Sequence, residues 1–274
     1  MKKRSLIILA AAFGLFLLNS NAIAGYFDPS QGWKNITTYD GMSGDYGSQS
    51  NTWWNTNEDQ EVEPGAATGQ QWDLEGFFLS DTGDKLGMVG GFNFKHGQGG
   101  ILSGDIFIDT DMDPSFYEYV MDLGFTDEEG NKGKGKKKNK YTVYENDGTI
   151  EFNTTHGGPS GPTQGLAWTY AGGGTPITGY EGLALTYKNN KTNSQMGGGV
   201  TGGKHDAVIV SLGFLGGTGG YGVSNILECG NDYLKGANSA AVPEPATIFL
   251  LGSGLLGLFG YRKKFWKSKI HLKE

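Results

Sequence analysis

The stretch Trp72-Asp73-Leu74-Glu75-Gly76-Phe77-Phe78-Leu79-Ser80-Asp81-Thr82-Gly83-Asp84-Lys85-Leu86-Gly87-Met88-Val89-Gly90-Gly91-Phe92-Asn93-Phe94 decides the fold class. Two apolar runs flank Ser80–Asp84, a cluster of turn-forming residues. The first run alternates, with Trp72, Leu74 and Phe78 on one side and Asp73, Glu75 and Phe77 on the other. The second continues with Leu86, Met88, Phe92 and Phe94. A period of two around a turn reads as strand, turn, strand. Asp73 and Glu75 share a face, which predicts a solvent-facing acidic edge. The alternative is a pair of catalytic carboxylates, which needs a defined separation across a cleft.

Working outward, the pattern repeats. Ile101–Asp109, Tyr117–Leu123, Tyr141–Tyr144, Thr149–Phe152, Leu166–Tyr170, Leu183–Tyr187 and Ala207–Leu215 are further strand-like segments. Glycine supplies 48 of 274 residues, which disfavours long helices and provides turns between these segments. Short alternating strands with regular turns predict an all-β fold, an antiparallel β-sandwich, as ectodomain 70–235. Residues 25–69 read as a polar lead-in, and Gly236–Ala241 as a small-residue linker. Gly130–Lys140 (GNKGKGKKKNK) reads as a solvated basic loop.

Both ends read as targeting segments. Met1–Arg4 is basic, Leu6–Leu18 is a run of thirteen uncharged residues, and Ala22-Ile23-Ala24 is a small-x-small pattern. This predicts a signal peptide, residues 1–24, cleaved after Ala24. Thirteen helical residues reach only about 20 Å, short of a ~30 Å bilayer core. The two ends hold nine of the 22 basic and two of the 29 acidic residues, so the core carries a formal charge of −14. Such a surface repels nucleic acid and suits a divalent cation or a neutral glycan. Cys229 is the one cysteine, which excludes an intrachain disulfide.

Val242–Lys264 reads VPEPATIFLLGSGLLGLFGYRKK. Pro243-Glu244-Pro245, then sixteen apolar residues, then Arg262-Lys263-Lys264 stand in fixed order. This resembles the PEP-CTERM sorting signal that exosortases recognise in Gram-negative bacteria. The prolines fix an extended backbone, the apolar run predicts a C-terminal transmembrane sorting helix, and the basic cluster holds its end in the cytoplasm. Residues 265–274 follow as a basic cytoplasmic tail. The resemblance implies export by the Sec route, transient tethering to the inner membrane, cleavage by exosortase near Pro243–Pro245, and release to the cell surface or extracellular matrix.

The ectodomain resembles, through Trp72–Glu75, Gly104–Asp109, Tyr117-Glu118-Tyr119 and Glu228–Asp232, domains found ahead of such tails. That resemblance implies a sandwich of jelly-roll or carbohydrate-binding-module type, with no catalytic residues to assign.

Asp109, Asp111 and Asp113 alternate at the end of an apolar strand. Carboxylates so placed can converge on a Ca²⁺ ion, or simply form a polar turn. Pro114 and Val120 stand where an EF-hand needs Gly and Glu, which excludes that motif. Trp53 and Trp54, with Trp33 and Trp168, are candidates for a glycan platform. His96, His156, His205 and His271 form no close-spaced pair. Gly217, Gly219 and Gly222 match a dinucleotide fingerprint in spacing only, with no helix expected after them. The reading is a non-enzymatic surface or biofilm-matrix protein associated with exopolysaccharide or a cell-surface glycan. Its alternatives are a Ca²⁺-dependent lectin-like module and, further off, a polysaccharide hydrolase.

Overall fold

The computed structural model describes residues 24–39, 67, 69–111, 116–125, 139–155, 165–217 and 219–238. The expected signal sequence up to residue 23, the tail and Trp53, Trp54, Asp113, His156 and His271 lie outside these, as does most of the basic loop.

Among the described residues fifteen strands form antiparallel sheets, as the alternation predicts. One sheet orders β1 (Trp33–Asn35), β3 (Leu74–Ser80), β4 (Lys85–Gly90), β13 (Lys204–Ser211) and β12 (Thr186–Thr192) as β1-β3-β4-β13-β12. The other comprises β2 (Thr37–Tyr39), β5 (Ile106–Asp109), β6 (Tyr119–Asp122), β7 (Lys140–Glu145), β10 (Thr175–Pro176), β14 (Tyr221–Ile226) and β15 (Tyr233–Asn238). Its order is β10-β7-β6-β5-β14-β15-β2, with β11 (Leu183–Ala184) also on β7. β8 (Glu151–Thr154) and β9 (Ala167–Gly172) make a separate hairpin. Among the described residues the one α-helix is α1 (Asn193–Met196), a single turn with a Thr192–Gln195 capping box.

The two large sheets enclose one core. Leu74, Phe77, Leu79, Leu86, Met88, Val208 and Val210 meet Ile106, Ile108, Met121, Val143, Val223 and Leu234 across it. Both outer faces are covered as well. Phe27, Met196 and Val200 lie over Phe78, Val89 and Ala207 of the first sheet. The β8–β9 hairpin lies over Phe107 and Val120 of the second, with Phe152 edge-on to Phe107 at 5.4 Å between ring centroids.

Double coverage explains the first correction. β3 is buried at every residue, and Asp73 and Glu75 are 1% and 7% exposed, so the expected acidic edge is an interior feature. Alternation also fails within β3. A register shift between Leu74 and Gly76 inserts an extra residue against β4, so Leu74 joins Phe77 and Leu79 in the central core instead of Phe78.

The lead-in is not wholly separate from the sandwich. β1 adds an edge to one sheet and β2 to the other. Residues 236–238, expected in the linker, continue β15. A Cβ on Gly236 would lie 3.0 Å from Val223 Cγ2 and 3.1 Å from the Ile36 carbonyl, so this glycine serves close packing.

Candidate functional site

The β5–β6 hairpin builds the acidic site. Its register pairs Ile106 with Met121 and Ile108 with Tyr119, so one step further out Asp109 stands opposite Glu118. Carboxylate oxygens of Asp109, Asp111 and Glu118 all lie within 4.8 Å of one another. Two oxygens bound to one Ca²⁺ at about 2.4 Å can be at most about 4.8 Å apart, so the spacing fits a shared cation. Asp109 is buried at the sheet end, Glu118 is half-buried and Asp111 is exposed. The backbone N–H of Thr110 donates to Glu118 Oε2 at 2.6 Å and the Asp111 N–H to Asp109 Oδ1 at 3.2 Å. These bonds fold the turn so that the carboxylates converge. The structure thus brings together two of the three expected ligands and adds Glu118. Pairing the two strands as a hairpin in the sequence would have found it.

Several other acids among the described residues tie strands and turns together. Asp105 is buried, accepts from Leu123 N–H (2.8 Å), Thr169 Oγ1 (2.6 Å) and Tyr170 N–H (2.9 Å), and joins β5 and β6 to β9. Burial, with the nearby charge of Asp122, pushes its carboxyl up to about 7 against the pull of those donors. Asn225 donates to the Gly104 and Asp105 carbonyls at 2.8 and 3.0 Å. In the β14–β15 turn, Glu228 accepts from Leu102 N–H, Asn231 pairs with both backbone groups of Ala67, and Asp232 accepts from Leu74 N–H. Cys229 is half-buried, and burial raises its thiol.

Glu75 has a partner the sequence did not reveal. His205, fully buried on β13, sets Nδ1 2.7 Å from Glu75 Oε2 and Nε2 2.8 Å from Asn193 Oδ1. Gly203 N–H also donates to that Asn193 oxygen, so Nε2 carries a proton. Gln70 donates to the other Glu75 oxygen at 2.5 Å. The Glu75–His205 pair lies 130 residues apart in sequence, beyond any spacing rule.

One aromatic candidate, Trp168, falls away as a platform, and Trp33 is partly packed. Trp168 is 1% exposed in a core beneath β9, and Trp33 packs edge-on against Phe27 at 5.0 Å. The glycine-spaced segment leads from Gly217 and Gly219 into β14, a strand, as the absence of an expected helix implied.

Compared with known proteins, residues 241–264 match the family described as the PEP-CTERM protein-sorting motif. No curated protein and no solved structure matches the chain. The chain therefore carries a PEP-CTERM sorting motif beginning three residues after β15 ends at Asn238. That motif supports an exported protein, made as a membrane-anchored precursor and processed by an exosortase.

Proposed function

We propose that the mature chain is a non-enzymatic cell-surface or matrix component that associates with the exopolysaccharide of a Gram-negative producer after export by the Sec route. The single observation carrying this reading is the sorting motif placed directly behind an acidic β-sandwich. The pair weighed for a hydrolase, Asp73 and Glu75, is buried, and Glu75 is held by His205, which supports the non-enzymatic reading. The test compares the producing strain with and without its exosortase. The expected result is a shortened protein that co-sediments with purified polysaccharide in the first strain, and an uncut, membrane-retained chain in the second. A shortened protein that leaves the polysaccharide unbound refutes the matrix role.

A second reading, a Ca²⁺-dependent glycan-binding module, is favoured by the convergence of Asp109, Asp111 and Glu118. Calcium at about 100 times its Kd would stabilise the fold by ~2.7 kcal/mol. The expected outcome is a rise in Tm on adding Ca²⁺ that is lost in Glu118→Gln. An unchanged Tm in the parent protein removes this reading.

A further inference from the structure

We propose that leader removal is itself a folding step: the α-ammonium group created at Gly25 locks the first segment of the mature chain onto the carboxylate of Asp28. The proposal rests on the expected cleavage after Ala24.

The geometry around Gly25 is closed. Its backbone nitrogen donates to Asp28 Oδ2 at 2.5 Å, and Asp28 Oδ1 accepts from Gly198 N–H at 3.0 Å. Asp28 stands at the N-cap of a 3-10 turn, Pro29–Gln31, yet its side chain caps nothing there and turns back to Gly25. Gly25 is buried, and a Cβ on it would overlap the backbone of Met196 and Gly197. The next two amides, Tyr26 N–H and Phe27 N–H, donate to the Gln195 and Met196 carbonyls at 3.0 and 2.8 Å. Those carbonyls end α1 and have no partner within the helix. The nitrogen of Gly25 is therefore placed by the residues that follow it, Tyr26 and Phe27 being fastened to the end of α1 and Asp28 to Gly198.

Charge makes this position consequential. Among the described residues no lysine or arginine pairs with Asp28, the one ion pair being His205–Glu75. In the precursor the Gly25 nitrogen is a neutral amide with a single N–H. Hydrolysis of the Ala24–Gly25 bond adds water across it. The hydroxyl goes to the Ala24 acyl carbon and the proton to nitrogen, leaving a carboxylate on the leader and an amine on Gly25. With a pKa of about 7.7–8.0 that amine is mostly protonated at neutral pH, and it presents three N–H groups where there was one. A charge-assisted bond is roughly twice as strong as its neutral counterpart. Cleavage thus supplies a countercharge that Asp28 lacks among the described residues, at an atom already within bonding distance.

The test begins with the full-length precursor expressed in a secreting host, and N-terminal sequencing of the exported protein. A start other than Gly25 overturns the cleavage reading on which the proposal stands, and is recognised before any stability is measured. Urea unfolding is then compared for four chains. Two begin at Gly25, with Asp28 or with Asp28→Asn. Two carry one alanine inserted between Ala24 and Gly25, so the free amine is displaced and the Gly25 nitrogen is again an amide. The expected result is that Asp28→Asn lowers the folding equilibrium constant about tenfold more in the Gly25-starting chain than in the extended one. Equal losses in both would reduce Asp28 to an acceptor of neutral amides and overturn the lock. Acylation of the unsubstituted protein provides a readout free of mutation. The Gly25 amine should react far more slowly in the folded protein than in urea, and equal rates would likewise sink the proposal.

Discussion

Phe27→Ala tests whether the first residues of the expected mature chain belong to the cooperative fold. The ring is 1% exposed, stacks on Phe78 at 4.8 Å between centroids and meets Trp33 edge-on at 5.0 Å. Deleting a buried phenyl ring costs about 3–5 kcal/mol, and aromatic pairing is part of that cost. The site lies on the outer face of a sheet under one layer of chain, where water and neighbours can partly refill it. We therefore expect the low end, ~3 kcal/mol, a large share of a stability of about 5–15 kcal/mol. For a domain of this size that is a Tm drop of about 6–12 °C. Urea unfolding followed by tryptophan fluorescence should give a lower midpoint with an unchanged slope. Gly87→Ala is the mirror perturbation, because its new methyl would enter the space of the Phe27 ring. Alone it should cost about 1–3 kcal/mol by overpacking. Combined with Phe27→Ala it should cost much less, since the methyl then occupies the vacated space. A Phe27→Ala loss below about 1 kcal/mol, or strict additivity of the two, would refute the claim that this segment seals the sheet.

Two further outcomes follow from the buried acids. Asp105 has a folded-state pKa raised to about 7, above its ordinary 3.8. The folded protein then holds a proton that the unfolded chain has released, so this contribution is full below about pH 4 and is lost as pH rises toward 7. Chemical denaturation across that window should show the decline, and Asp105→Asn, which cannot ionise, should flatten it; an identical slope in the variant would show the cause lies elsewhere. His205→Ala strands the Glu75 carboxylate in the interior and should cost about 3–5 kcal/mol, whereas adding Glu75→Ala should recover part of that loss. Purely additive losses in urea unfolding would mean that the two side chains do not act as a pair.

The fold class was legible because alternation at Leu86–Met88 and Tyr141–Val143 records a side chain's face directly, whatever lies beyond it. β14 and β15 were not legible. Gly222, Ser224 and Gly236 dilute their apolar rows, and their burial depends on β2 and β5 alongside them. The faces of β3 were misread because a bulge inverts the alternation ahead of it, and no residue type marks that bulge unambiguously. Asp109 and Asp111 were visible as an acidic strand end, and Glu118 was one hairpin register away. Glu75 read as a surface charge and Asp105 carried no signal of its own, because their partners, His205 and Tyr170 N–H, come from strands 130 and 65 residues distant.

The register of β14 fixes the reach of the precursor's tether. Gly222 pairs with Asp109 on one side and Ala237 on the other, so the acidic corner lies two strand spacings, about 10 Å, from the strand that leads to the tail. From Asn238 to Pro243 the chain can extend at most about 18 Å. Asp109 and its neighbours therefore stand at the same end of the sheet as Ala237, the end nearer the start of the sorting motif. Release of the tail would change what that corner can meet, without any change in the fold.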